Sequence, residues 1–299
     1  MRILVRFSLL FLLLLGSGQS AVAAIERPYI VTIQTSIAET GDYYLSLLRM
    51  ILEASKAPDE RIEFRFSEKS LAQARWIAAL LQDTGNSVLW TMTSEMREQT
   101  MRPIRVPLMK GLMGYRLLVI RKEDEAKFAK VNTKEDLLAF RVGQGTHWPD
   151  TDILRANRFH LMEAMAVDNL YKMLIAKRFD FFPRGVTEAY REGALIQPQN
   201  LMIEPHLLLH YRTDLYFFVN KKNIELAKRL EKGWAIILKN GEYEKFFMGQ
   251  ERVKVALEIL KSRNYKIIEL DNPFLSPESS ELNAAYWLEP DKSPVVPHE

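Results

Sequence analysis

Residues 215–247 constrain the fold of this chain more than any other segment. They open with an unbroken apolar run, Leu215, Tyr216, Phe217, Phe218 and Val219, which suits a strand covered on both faces. A polar turn over 220–223 leads into Ile224, Leu226, Ala227, Leu230, Trp234, Ile237 and Leu238, which recur at helical spacing. Asn240-Gly241 stops that helix, since glycine accepts the left-handed conformation of many helix ends, and 242–247 reads as a second short helix. A doubly covered strand feeding an amphipathic helix is what a sheet with helices on its faces requires. Any α/β protein could contain such a pair, so the rest of the chain has to decide between architectures.

The alternation continues elsewhere. The spacing predicts strands over 29–34, 61–66 and 87–91, with helices over 42–57 and 69–83 between them. This β-α-β-α-β run favours an open, mostly parallel sheet. A strand over 116–121 begins a second series. Residues 140–142 lead into Gly143-Gln144-Gly145-Thr146, followed by helices from about 150 and over 167–177, a strand at 179–182, a helix at 186–191 and a strand at 201–204. After Phe247 come a helical stretch to about 260 and a Pro/Ser/Glu-rich tail, read as irregular, whose residues 284–288 can pack onto the body.

The first 24 residues read as a cleaved export signal: Arg2 and Arg6, the apolar run 7–15, then Ala21-Val22-Ala23. The apolar run is too short for a comfortable membrane span. The chain contains 0 cysteines, which excludes disulfides, thiol nucleophiles and a cysteine-linked lipid anchor. The expected location is the periplasm. Removing Arg2 and Arg6 with the signal leaves 39 basic against 38 acidic residues, a formal charge of +1, which gives no footprint for a nucleic-acid partner.

Several pieces, taken in order, resemble the family 3 extracellular solute-binding proteins. Thr91-Met-Thr-Ser-Glu-Met-Arg97 is similar to the family's T-x-T-x-E-R element. Lys134-Glu-Asp-Leu-Leu before Arg141-Val-Gly-Gln-Gly-Thr146, then Arg178-Phe-Asp180, resemble pieces of its second lobe, and 215–247 resembles the return to the first. The resemblance implies a two-lobed periplasmic binding protein-like α/β fold, each lobe an open, mostly parallel sheet with helices on both faces, joined by a two-strand hinge. It implies a signal peptide at 1–24, a first lobe from 25–111 and 214–299 (tail included), and a second lobe from 112–213. The crossings fall near 109–114 and 212–216, where Gly111 and Gly114 can absorb rotation. The ligand cleft lies between the lobes.

The same resemblance implies site residues. Arg97 is the expected carboxylate fork, helped by Thr91 and Thr93. Met96 displaces it by one residue from the family spacing, so Arg102 and Arg105 compete for the role. Gly145 and Thr146 open a helix whose free N–H groups suit an anion. Trp148, Trp90, Tyr43 and Tyr44 are candidate walls. Where relatives that bind amino acids carry an acid, this chain has Gly185, preceded by Arg184. The ammonium partner is missing unless Glu188 or Asp42 supplies it, and the expected ligand is a small carboxylate or other anion.

His206 and His210 are four apart, but their neighbours suit strand or loop better than a metal-binding helix, and no metal or other cofactor is expected. The leading expectation is a monomeric binding protein that hands its ligand to an ABC importer or a sensor kinase. A dehydratase-like enzyme using Glu95 or Glu188 as acid or base, or a module that docks a protein instead of a solute, are the alternatives.

Overall fold

The computed structural model describes residues 26–35, 42–66, 73–188, 196–262 and 265–288; the first 25 residues, where the export signal is expected, and the last eleven, 289–299, lie outside them. Two sheets organise the chain, one of five strands and one of six.

The first sheet begins with β1 (Arg27–Ile33), helix α1 (Tyr43–Ser55), β2 (Glu60–Phe66), helix α2 (Gln73–Gln82) and β3 (Ser87–Met92). β1 runs parallel to both β2 and β3. A short helix α3 (Glu95–Thr100), capped by the Ser94 side chain, leads to the edge strand β4 (Arg102–Ile104). The second sheet takes β5 (Tyr115–Arg121), β6 (Arg141–Gly145), helix α4 (Pro149–Ala156), β7 (His160–Ala164), helix α5 (Val167–Ile175), β8 (Phe181–Gly185) and β9 (Leu201–His210). β6 is parallel to β7 and β8, and β5 is antiparallel to β8 and β9.

The chain then returns to the first sheet with β10 (Leu215–Val219), which lies antiparallel between β3 and β4. All five of its residues are buried, as its unbroken apolar run requires. Helix α6 (Ile224–Lys239) follows, starting at an Asn223 side-chain cap, and packs on α1. Gly233 makes that approach possible, because a Cβ there would sit 2.0 Å from the Ile51 carbonyl oxygen. Gly241, at φ +80°, turns the chain into α7 (Glu242–Gly249), and α8 (Glu251–Ser262) follows.

The C-terminal stretch, for which the sequence predicts an irregular tail in the first lobe, departs from that expectation. Residues Lys266–Glu269 form β11, parallel to β9 at the edge of the second sheet. Asp271 then exchanges hydrogen bonds with Asn157 of the second lobe. Beyond it the Phe274 carbonyl accepts from the Glu95 N–H, and Ser276 and Ser279 donate to the buried Glu98 carboxylate of the first lobe. The tail is thus a strap between lobes, in addition to the two crossings expected near 109–114 and 212–216. Trp287 ends the strap over Gly111, against which its ring would lie only 2.7 Å from an added Cβ, and Leu288 N–H donates to Lys110 O.

The two crossings are tied together by Asp214. Its carboxylate accepts backbone N–H bonds from Met109, Gly111 and Leu215. Burial raises this carboxyl to about 7, against the lowering effect of those three bonds. The largest core runs from Val31, Leu48 and Trp90 through Leu108 and Leu112 to Leu117 and Leu208; among the described residues of 143–188 only Val186 joins it. No helix among the described residues is long and apolar enough to cross a membrane.

Candidate functional site

The C-terminal end of β3 faces the second lobe, and between them lies a cavity of about 500 Å³. That volume falls in the range usual for small-molecule sites. The first lobe contributes Gln73 and Trp76 of α2, Trp90, Thr91 and Met92 of β3, and Leu215 of β10. The second contributes Arg116 of β5, Trp148 and the first turn of α4, the start of α5, Arg184 of β8, and Glu188. This is the end of an open α/β sheet at which ligands are generally met.

The second-lobe wall is a set of opposed charges. Adjacent antiparallel strands bring Arg116 and Arg184 together, since Leu117 pairs with Arg184 and Arg116 with Gly185. Arg116 makes a 2.8 Å ion pair with Asp150, both side chains being nearly fully buried, and Tyr211 donates its hydroxyl to the same carboxylate. Burial works against the Arg116 charge, but Asp150, Tyr211 and Glu188 together raise its pKa above the ordinary value. Glu188 stands 3.5 Å from Arg184 and 3.6 Å from Arg116, and accepts the Gly185 N–H at 2.8 Å. The Arg184 guanidinium lies over two rings, Phe182 at 4.9 Å and Trp148 at 5.4 Å.

Several expected site residues are found elsewhere than in a ligand cradle. Arg97 is buried and reaches the lobe interface, but it donates to Thr91 Oγ1, to Met92 O at 2.8 Å, to Gln73 Oε1 and, across the lobes, to His147 O at 3.0 Å. Burial lowers its pKa to about 10, which leaves it charged at neutral pH. It therefore positions Thr91 and Gln73, which do line the cavity, and holds the second lobe. Its rivals are used differently: Arg105 pairs with Glu98, and Arg102 donates toward Lys221 O. Met96, the residue that disturbs the family spacing, is exposed on the outside of α3.

Thr93 is consumed by the protein, with its hydroxyl on Glu98 and its N–H on Asp214 O. Tyr43 is a core residue, 1% exposed, with its hydroxyl donated to Leu108 O. Tyr44 packs beside it and stacks on Trp90. The anion-binding turn expected at Gly145 and Thr146 is closed: Gly145 N–H donates to its neighbour Gln144 Oε1, and Thr146 N–H to Ala164 O. Pro149 stands at the first turn of α4, so one N–H is absent there. Gly145 serves packing instead, because a Cβ would fall 2.4 Å from the Trp148 ring.

Trp148, Thr91, Arg184 and Trp90 do line the cavity. Of the acids weighed, Glu188 lines it, Asp42 is an exposed residue just before α1, and Glu95 belongs to an outer groove with Met96 and Phe274. His206 and His210 each set Nδ1 on a carboxylate, Glu204 and Glu269 respectively. Arg116, Asp150 and Asp214 carry no motif. The one signal available for Arg116 was a charge at the start of a strand whose next four residues, Leu117 to Ile120, are apolar.

No family model matches the chain, and no curated protein matches it. Solved structures do. The fold is similar to a histidine kinase sensor domain described as resembling periplasmic binding proteins, at 19% identity and TM-score 0.53 over 74% of this chain and 95% of that one. It is similar to an ancestral arginine-binding protein bound to arginine, at 15% identity and TM-score 0.54 over 75% and 98%. A third likeness is the amino acid ABC transporter substrate-binding protein AbpA from Streptococcus pneumoniae bound to L-arginine, at 15% identity and TM-score 0.53 over 77% and 95%. The chain has the two-lobed periplasmic binding protein fold.

Proposed function

We propose that the protein is an exported solute-binding protein that closes around a small polar, carboxylate-bearing ligand and presents it to a membrane partner, either an ABC importer or a sensor. The observation that carries this reading is the 500 Å³ cavity walled by both lobes, with the buried guanidinium of Arg184 in its second-lobe wall. A cavity between hinged lobes couples binding to closure, and closure is a shape a partner can read. A buried cation beside the cleft favours an anionic group on the ligand, because an arginine–carboxylate contact is charge-assisted and directional. The contacts proposed for the ligand are Arg184, Trp148 and Thr91, with Arg97 acting through Thr91, Gln73 and lobe closure. The likeness to binding proteins of transporters and to a kinase sensor domain supports both kinds of partner equally.

Calorimetric titration tests it. A small carboxylate should bind the wild type and bind Arg184→Ala about ten- to a hundredfold more weakly. That is what losing one charge-assisted contact of about 1.5–3 kcal/mol does at about 1.4 kcal/mol per decade. Equal affinity in the two proteins would place the carboxylate elsewhere, and turnover of the bound compound would make the protein an enzyme.

A further inference from the structure

Arg97 decides what two cavity residues offer a ligand. Its guanidinium donates to Thr91 Oγ1 and Met92 O through one nitrogen, and to Gln73 Oε1 and His147 O through the other. A guanidinium has donors only, so each partner must turn an oxygen toward it. For Gln73, at the start of α2, this fixes the amide: Oε1 faces Arg97, and the Nε2 amino group, on the other arm of the same plane, faces away. For Thr91 it takes a lone pair and leaves the hydroxyl hydrogen to donate. Both residues line the cavity, and among the described residues neither Gln73 Nε2 nor the Thr91 hydroxyl hydrogen has an acceptor.

The acceptors of the same wall are already engaged. Met92 O serves Arg97, the Met92 sulfur receives Arg116 at 3.4 Å, and Leu215 O receives the Leu108 N–H at 3.0 Å. The indoles of Trp76 and Trp90 carry a donor and no acceptor. Among the described residues, no first-lobe side chain lining the cavity is ionisable. Burial lowers the Arg97 pKa to about 10, which leaves it charged at neutral pH. A cation on the oxygen of an amide strengthens the donors at its other end. The wall is thus donor-rich, uncharged and otherwise apolar.

Resting on the solute-binding reading, we infer that Gln73 is a ligand-binding residue: with Thr91 it forms a pair of neutral donors, set by Arg97, that takes a carbonyl oxygen on the body of the ligand. The ligand is then an oxo acid. A carbonyl oxygen accepts both bonds and brings no hydrogen of its own. A hydroxyl at that place needs an acceptor for its hydrogen, and leaving it unpaired costs binding. An ammonium meets donors. A second carboxylate would be desolvated beside Trp76, Trp90 and Leu215 with no cation of that wall in contact.

Calorimetry on the mature protein tests this with probes that differ at one position. One set is 4-oxopentanoate, 4-hydroxypentanoate and pentanoate; a longer set is 5-oxohexanoate, 5-hydroxyhexanoate and hexanoate. Within a set, the oxo acid should bind about tenfold or more tightly than its hydroxy and unsubstituted counterparts. Gln73→Glu keeps an oxygen on Arg97 but presents an acceptor to the cavity in place of the amino group. It should lose about tenfold for the oxo acid, while the hydroxy acid binds as well as before or better. A residue that merely supports the wall would weaken all probes alike. If Gln73→Glu fails to fold, the wild-type ranking decides. A ranking led by a hydroxy or unsubstituted acid, or one that Gln73→Glu lowers uniformly, overturns the inference and leaves the solute-binding reading standing. No binding of any probe by folded protein also overturns it, and failure of a wider panel of metabolites then overturns the solute-binding reading too.

Discussion

A buried guanidinium has to be matched, and Arg97 and Arg184 are matched in different ways. Arg97 is surrounded by neutral oxygens, three of them from its own lobe and one, His147 O, from the other. Arg184 lies over the rings of Phe182 and Trp148 and 3.5 Å from the Glu188 carboxylate. Both arginines stand out in the sequence, but the role expected of Arg97 depends on which way its side chain turns, and no spacing rule encodes that. Ser94 capping α3 puts Arg97 in the first turn, facing inward, and Met96 outward. Arg97→Ala should therefore weaken every ligand, charged or neutral, by about ten- to a hundredfold, since an interlobe bond to a charged donor contributes about 1.5–3 kcal/mol at ~1.4 kcal/mol per decade. A titration in which Arg97→Ala weakens carboxylates alone would restore its direct role. Thr93, Gly145 and Thr146 have the expected residue types, yet their backbone N–H groups and the Thr93 hydroxyl are taken by Asp214, Gln144, Ala164 and Glu98.

At the scale of elements, strands with continuous apolar runs were legible: β3, β5 and β10 are buried almost throughout. Apart from β2, the edge strands were not. β4 is Arg-Pro-Ile, β7 has no fully buried residue and β11 has a single one, so none presents the pattern that marks a strand. The α1–α6 contact supplies a prediction. Alanine is ordinarily better than glycine inside a helix, but at Gly233 the added methyl meets backbone at 2.0 Å. Gly233→Ala should lower stability by about 1–3 kcal/mol, the usual cost of overpacking, read from chemical denaturation; a stabilised variant would mean the helices part freely. Asp214 supplies another. Its folded-state pKa, about 7, lies above the ordinary 3.8, so the folded chain holds a proton that the unfolded chain releases. The resulting stabilisation is complete below about pH 4 and is lost as pH rises through about 7, with a slope of at most ~1.4 kcal/mol per pH unit. Asp214→Asn should remove that slope from the pH dependence of unfolding. A slope that persists in the variant would assign the titration to another group.

For the molecule as a whole, two lobes and two crossings were readable from the order of the pieces, whereas the strap was not. Its anchors are single polar residues, Asn157, Glu98, Ser276 and Ser279, each unremarkable until the fold brings it to its partner. Together with the shared core at Leu108 and Leu112, the strap means that opening bends more than a two-strand hinge. Retention of the ligand should then be long enough to survive purification. Native mass spectrometry of protein recovered from the periplasm reads this directly. The account predicts a bound species whose mass, after release, is that of a small carboxylic acid, present on wild type and depleted on Arg184→Ala. A wild-type protein that carries no ligand and gains none when incubated with a metabolite extract would contradict it.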